Sequence, residues 1–93
     1  MYYIKFSKKD SENKLQHMLF SKKNVHVNQK NLDFIWIKDW MSNKVFFISE
    51  KEANDFLKKN FEEIKKSIVF FANKISKENV SLKDFSVVKI NLN

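Results

Sequence analysis

The chain has 93 residues and a formal net charge of +7, and it contains no Gly, no Pro and no Cys. Its eighteen basic residues are all Lys, because Arg is absent as well. These absences exclude glycine-rich phosphate loops, bidentate arginine clamps for anions and cysteine zinc clusters. The apolar fraction of 43% and the aromatic fraction of 15% predict a folded single domain over residues 1–93 rather than a disordered chain.

Hydropathy along the chain argues against a membrane protein. No segment reaches the roughly 18–20 apolar residues that are needed to span a bilayer. The first six residues, Met-Tyr-Tyr-Ile-Lys-Phe, have neither the long apolar run nor the small-residue cleavage site of a signal peptide. We therefore predict a cytoplasmic protein with no membrane partner.

The N-terminal part of the chain predicts a strand followed by a short helix. Residues 2–7 alternate between two faces, which is typical of a strand with one buried face at or near a sheet edge. Between residues 10 and 22, apolar residues recur at helical spacing after Asp10, a residue type that favours helix starts. A short helix is predicted there. The alternative is a hairpin in which residues 14–20 form a second strand.

Two apolar segments in the middle of the chain predict the centre of a sheet. Residues 32–38 and 44–48 carry apolar side chains on both faces, so two neighbouring strands there would need a cover on both sides. The predicted turns lie at residues 28–31 and 42–43, where Asn replaces the missing Gly, because Asn tolerates left-handed backbone geometry.

A long amphipathic helix is the clearest local prediction. Residues 49–52 (Ser-Glu-Lys-Glu) form a capping box, and apolar residues follow at spacings of three and four to about residue 77. One straight helix over residues 50–77 would be about 40 Å long, so it must bend, best near Asn60, or extend past the sheet. Residues 84–92 alternate again and predict a returning strand. The predicted fold is α+β: an antiparallel sheet of four to five strands packed against this helix, with the short helix near residues 10–22.

The titratable residues give little support for catalysis or metal binding. The two histidines, His17 and His26, have no partners at a metal-ligand spacing, and no Ser lies in a nucleophile motif. We therefore predict that the protein is not an enzyme and that it holds neither a cofactor nor a metal.

Apolar residues beyond the needs of the core indicate protein binding. Phe70 falls on the polar side of the long helix and Val69 lies at its margin, whereas Trp36 and Trp40 add aromatic surface near the sheet. We predict that these four residues contact a host protein or nucleoprotein complex. The small size and the A+T-rich codon bias of the composition suggest an inhibitor of the anti-defence type, encoded by a phage or another mobile element.

Two other functions stay open as alternatives. Single-strand or non-specific nucleic-acid binding would use aromatic residues for base stacking and lysines for phosphate contacts: Tyr3, Lys22, Lys23, Lys30, Trp36 and Lys44. A structural subunit would instead form a homodimer that covers the second face of the sheet with a second copy. The sequence thus predicts a binding surface without naming what it holds.

Overall fold

A computed structural model shows an α+β fold with a four-stranded antiparallel sheet and two helices. It describes residues 1–27, 30–38 and 44–90, and for 22–27 and 30–33 the backbone alone. The elements are β1 (Tyr2–Lys9), β2 (Leu15–Val27), β3 (Lys30–Ile37), α1 (Glu50–Lys59), α2 (Phe61–Phe71) and β4 (Phe85–Lys89), with 3₁₀ turns at Lys77–Asn79 and Leu82–Asp84. The strand order is β3-β2-β1-β4, so the predicted α+β class with an antiparallel sheet is confirmed.

The core lies between one face of the sheet and the two helices. Ile4 and Phe6 of β1 are fully buried there, as are Ile64 and Ile68 of α2. Phe20 of β2 is the centre of an aromatic cluster. Its ring centroid lies 5.2–6.3 Å from those of four neighbours: Phe34, Trp36, Phe47 and Phe56. Close-packed rings of this kind supply the stability that a chain without disulfides needs.

The predicted helix over residues 10–22 is wrong, and the hairpin alternative describes this region. β2 pairs with β1 in an antiparallel register from Lys9 opposite Leu15 to Lys5 opposite Leu19. Asp10 closes a turn instead of capping a helix, because its carboxylate accepts from the backbone N–H groups of Glu12 and Lys14. The apolar spacing in this segment fits both the helical period and the strand period, and pairing with β1 selects the strand.

The predicted pair of central strands is also wrong, because β1 and β2 are the inner strands and β3 lies at an edge. β1 lies next to the edge strand β4, so the prediction of a strand at or near an edge is confirmed. The register of β2 with β3 shifts between Phe20 and Lys22. The pairing of β2 with β1 ends at Leu19, opposite Lys5, which leaves a gap beside the Tyr2 end of β1. The chain at 44–48 fills this gap with one bridge, Tyr2 to Phe47, and one hydrogen bond from Val45 N to Phe20 O at 2.9 Å.

The long helix begins where the sequence predicts and bends where it predicts. Ser49 Oγ accepts from Glu52 N at 3.1 Å and caps α1. At Asn60 the helix breaks into α1 and α2, and the Asn60 side-chain amide donates to Phe56 O at 2.9 Å. The single helix to residue 77 is wrong, because α2 ends at Phe71 and Ala72 is already extended.

The last strand agrees with the prediction as far as the described residues extend. β4 covers 85–89 of the predicted strand 84–92, and residues 91–92 lie outside the described residues. Phe85 of this strand is buried in the core. Within the described ranges, neither helix has both the length and the apolar character to cross a bilayer. The predicted turns at 28–31 and 42–43 involve positions 28–29 and 42–43, which are not described.

Candidate functional site

The face of the sheet that the helices do not cover carries most of the remaining apolar side chains. We call it the open face. Because side chains alternate along a strand, the strand pairings place one set of residues on it: Tyr3, Lys5, Ser7, His17, Leu19, Ile35, Ile37, Ser86 and Val88. Tyr3 and Leu19 at its centre are only 4% and 3% exposed. Parts of this face are therefore already covered by the protein itself.

One end of the open face forms a continuous apolar surface. The bridge between Tyr2 and Phe47 sets Met1 opposite Ile48 and Tyr3 opposite Phe46, and directly opposite residues share a face. On the other side, Tyr3 pairs with Val88, and Ile90 N donates to Met1 O at 2.9 Å. Two rows result, and together they form what we call the end patch: Ile90–Met1–Ile48 and Val88–Tyr3–Phe46.

The end patch is unusually exposed for its composition. Ile48 is 84% exposed, Met1 50% and Phe46 41%, while Val88 and Ile90 are half-buried. Tyr3 forms the floor, and its burial raises the pKa of its hydroxyl. Single exposed apolar residues are ordinary, but contiguous apolar patches on monomers are often functional.

A lysine lies beside this apolar surface. Lys44 Nζ lies 5.6 Å from the centroid of the Tyr3 ring and 5.9 Å from that of Phe46, within the range of cation–π attraction. In contrast, α1 and α2 together contain five Lys and five carboxylates, so the charges of the helix layer cancel. The net charge of +7 therefore belongs to the strands, turns and loops.

A second feature lies at the opposite end of β1, where the β1–β2 turn meets the loop after α2. Gln16 binds both backbone groups of Asn73: its side-chain amide donates to Asn73 O at 2.5 Å and accepts from Asn73 N at 3.1 Å. Ser11 N donates to Lys74 O at 3.1 Å. Cavities of about 730 and 650 Å³ lie on the two sides of this junction. We call the larger one the hairpin cavity; Val69, Ala72 and Ile75 are among its walls.

Asp10 closes the β1–β2 turn and should make stability depend on pH. Hydrogen bonds from the backbone of Lys14 and the side chain of Gln16 hold its pKa below the ordinary 3.8. Because the folded pKa is the lower one, the stabilisation is full above the unfolded pKa and is lost as pH falls through the folded pKa. Urea unfolding between about pH 5 and pH 3 should show a smaller loss of stability in Asp10→Asn than in the wild type. The same loss in both proteins would contradict this role.

The pairing of His17 with Ser7 creates the one feature of the open face that resembles catalytic chemistry. Ser7 Oγ and His17 Nδ1 are 2.7 Å apart on neighbouring strands. In a nucleophilic pair, a third group orients the base. No carboxylate of the described residues hydrogen-bonds His17, so this contact is a cross-strand hydrogen bond without the rest of a triad. The side chain of His26 lies outside the described part.

The four residues predicted to contact a partner protein do not come together. Trp36 is 2% exposed and packs in the core, so its predicted place on a surface is wrong. Its burial follows from its register opposite Phe20 on the helix-covered face. Trp40 lies outside the described residues. Val69 is half-buried beside the hairpin cavity, and Phe70 is 41% exposed with its ring 5.0 Å from that of Phe71.

The predicted nucleic-acid residues are likewise separated. Trp36 and Tyr3 are both buried, on opposite faces of the sheet, so neither presents a ring for base stacking. Lys44 is half-buried above Tyr3. The remaining predicted residues have side chains that the structure does not describe: Lys22, Lys23 and Lys30.

Sequence reasoning missed Ile48 and Met1, the most exposed members of the end patch. Ile48 immediately precedes the N-cap Ser49, a position where an apolar residue often packs against the helix as a staple. Its exposure of 84% shows that it does not pack in this way here. The signal that the sequence offered was an apolar residue directly before the helix N-cap Ser49.

Comparison with protein-family models, curated proteins and solved structures finds no match to this chain. Among the described side chains, no group of three or more His, Asp or Glu is placed to hold a metal ion. The candidate functional features are therefore surfaces of the molecule, above all the end patch and the charge beside it.

Proposed function

We propose that the protein is a non-catalytic binding protein whose end patch holds a partner protein with an acidic surface. The observation that carries this proposal is the exposure of Ile48, at 84%, within a row that also contains Met1 and Ile90. Burying such a row against a partner removes apolar area from water at about 25 cal/mol per Å². An apolar centre with a polar rim is the usual anatomy of a protein interface.

The side chains of the end patch favour a protein over a nucleic acid. Met1 and Ile48, its two most exposed members, are aliphatic and offer packing surface without a π-face for base stacking, and Phe46 is its one exposed ring at 41%. The aromatic residues on which the nucleic-acid alternative depends, Tyr3 and Trp36, are 4% and 2% exposed. Lysines alone would give a weaker, sequence-independent attraction to phosphate.

Charge favours an acidic partner. The helix layer is neutral overall, and the excess of Lys lies in the strands, turns and loops. Lys44 is placed beside the two aromatic rings of the end patch. Complementary charge raises association rates and discriminates against other basic proteins. A small inhibitor of a host complex, the class that the composition suggests, would use a surface of this kind.

The test is affinity capture from lysates of the source cells with two matched variants. Ile48→Asp places a carboxylate in the end patch, whereas Leu15→Asp makes the same change at a residue that is 54% exposed at the far end of the sheet. We expect an acidic protein to be retained by the wild type and Leu15→Asp, and to bind Ile48→Asp about thirtyfold more weakly. The complex should also weaken as salt is raised.

Three results would overturn the proposal. Equal capture by Ile48→Asp and Leu15→Asp would show that the end patch is not the contact surface. A concentration-dependent dimer in light scattering that Ile48→Asp abolishes would identify a second copy as the occupant. Retention of nucleic acid in place of protein, lost at high salt, would favour the nucleic-acid alternative.

A further inference from the structure

We propose that the hairpin cavity binds a small organic anion, a molecule with an apolar body and one carboxylate or phosphate group. This site is independent of the end patch, because it lies at the Lys9 end of β1 and the patch lies at the Met1 end. Its volume of about 730 Å³ is within the range of small-molecule pockets. It also accounts for Val69, whose place at the margin of the helical stripe had suggested contact with something beyond the core.

One wall of the hairpin cavity is apolar and continuous with the core. Ile75 is 7% exposed, and the half-buried Val69 and Ala72 pack against the buried cluster. These three side chains come from the end of α2 and the loop that follows it. They provide a surface on which an aliphatic or aromatic body can be removed from water.

The rest of the cavity lining is cationic and polar. Lys8, Lys9 and Lys74 line the cavity together with one carboxylate, that of Asp10. Three donors already bind the Asp10 carboxylate, which reduces its capacity to repel an anion. Lys8 pairs with Asp84 at 3.4 Å and Lys74 pairs with Glu12. Lys9 makes no ion pair with any described residue. We therefore assign its ammonium group as the cation that binds the anionic group of the ligand.

Polar groups and a fixed backbone complete the site. Ser11, Ser76 and Asn79 add hydrogen-bonding side chains around the mouth of the cavity. Lys74 has a φ of 58°, in the left-handed region that non-glycine residues seldom occupy, and its carbonyl accepts from Ser11 N at 3.1 Å. Such conformations persist where the surroundings determine them, and they cluster at binding sites. This hydrogen bond ties the β1–β2 turn to the loop after α2, and both segments line the cavity.

The experiment is an NMR titration of the full chain with three eight-carbon probes: octyl phosphate, octanoate and octanol. We expect saturable shifts of the Val69 and Ile75 methyl signals with both anions, and binding of octanol about tenfold weaker because it lacks the charge. The ratio of the two anion affinities identifies whether phosphate or carboxylate is the preferred group. Shifts that do not saturate, or octanol binding as tight as that of the anions, would overturn the proposal.

Charge reversal at Lys9 provides the matched variant. Lys9→Glu should weaken octyl phosphate binding about tenfold, whereas Lys89→Glu, the same change at the end of β4, should leave it within about twofold. Ser76→Asp adds a carboxylate at the exposed mouth of the cavity and should also weaken binding, which keeps the test valid if Lys9→Glu unfolds. Equal affinities in Lys89→Glu and in the folded variants of the cavity would contradict the assignment, as would shifts confined to the end patch.

Discussion

Phe20→Ala is expected to lower the free energy of unfolding by about 3–5 kcal/mol, the range measured for truncation of buried aromatic residues. Phe20 is fully buried, and its ring is in contact distance of four other aromatic rings. Its backbone carbonyl also accepts from Val45 N, so the residue joins β2 to the segment that fills the gap beside β1. Domains of this size are stable by about 5–15 kcal/mol, so this loss would remove a large share of the total stability.

Urea unfolding followed by circular dichroism measures this effect, and Phe70→Ala is the matched control. Phe70 is 41% exposed on α2, and the same substitution there should change the free energy of unfolding by about 1 kcal/mol or less. A loss below about 2 kcal/mol in Phe20→Ala would mean that the cluster does not centre on this ring.

Features that depend on neighbouring residues could be predicted from the sequence. The alternation of residues 2–7 gave a strand with Ile4 and Phe6 buried, because strand periodicity fixes the faces once one face is apolar. The capping box placed the start of α1, since Ser49 satisfies a backbone donor that the helix itself leaves free. The length of the apolar pattern required either a bend, best near Asn60, or an end that extends past the sheet, and the helix breaks at Asn60.

Features that depend on distant pairing could not be predicted. Residues 15–22 fit a helical stripe and an alternating strand about equally, and only the partner strand β1 selects the second. The position of β3 at the edge is set by which strands pair with each other, and no local pattern encodes this. The burial of Trp36 follows from the same pairing, because it decides which face of β3 meets the helices.

The candidate site shows the same division. Met1, Ile48 and Ile90 are distant in sequence, and they form one row only because the Tyr2–Phe47 bridge and the β1–β4 pairing meet there. The charge of the surface was easier to predict, because the Lys and the carboxylate residues of the helices can be counted in the sequence. Composition thus indicated a positive net charge, while topology decided where the end patch lies.

Trp36→Ala is expected to cost about 3–5 kcal/mol of stability, whereas Trp36→Phe should cost less than about 1.5 kcal/mol. The indole of Trp36 packs between Phe20 and Phe85, with ring centroids at 5.5 and 5.6 Å, so truncation to Ala removes contacts on both sides. Its Nε1 is buried with no hydrogen-bond partner among the described residues. Such a donor costs about 1–3 kcal/mol, and Phe removes it while it keeps most of the ring. This gain should offset much of the cavity left by the smaller side chain.

Measurements of both binding and stability distinguish a core role of Trp36 from the surface role that we predict from the sequence. Urea unfolding gives the stability of each variant, and capture of the partner by folded Trp36→Phe gives its binding. A buried Trp36 predicts partner binding equal to that of the wild type, because the end patch at Met1 and Ile48 is unchanged. A loss of about 3 kcal/mol in Trp36→Phe would show that the indole N–H has a partner within the folded chain. Loss of binding at unchanged stability would instead place Trp36 at the interface, since a residue that contacts only the core affects binding through folding.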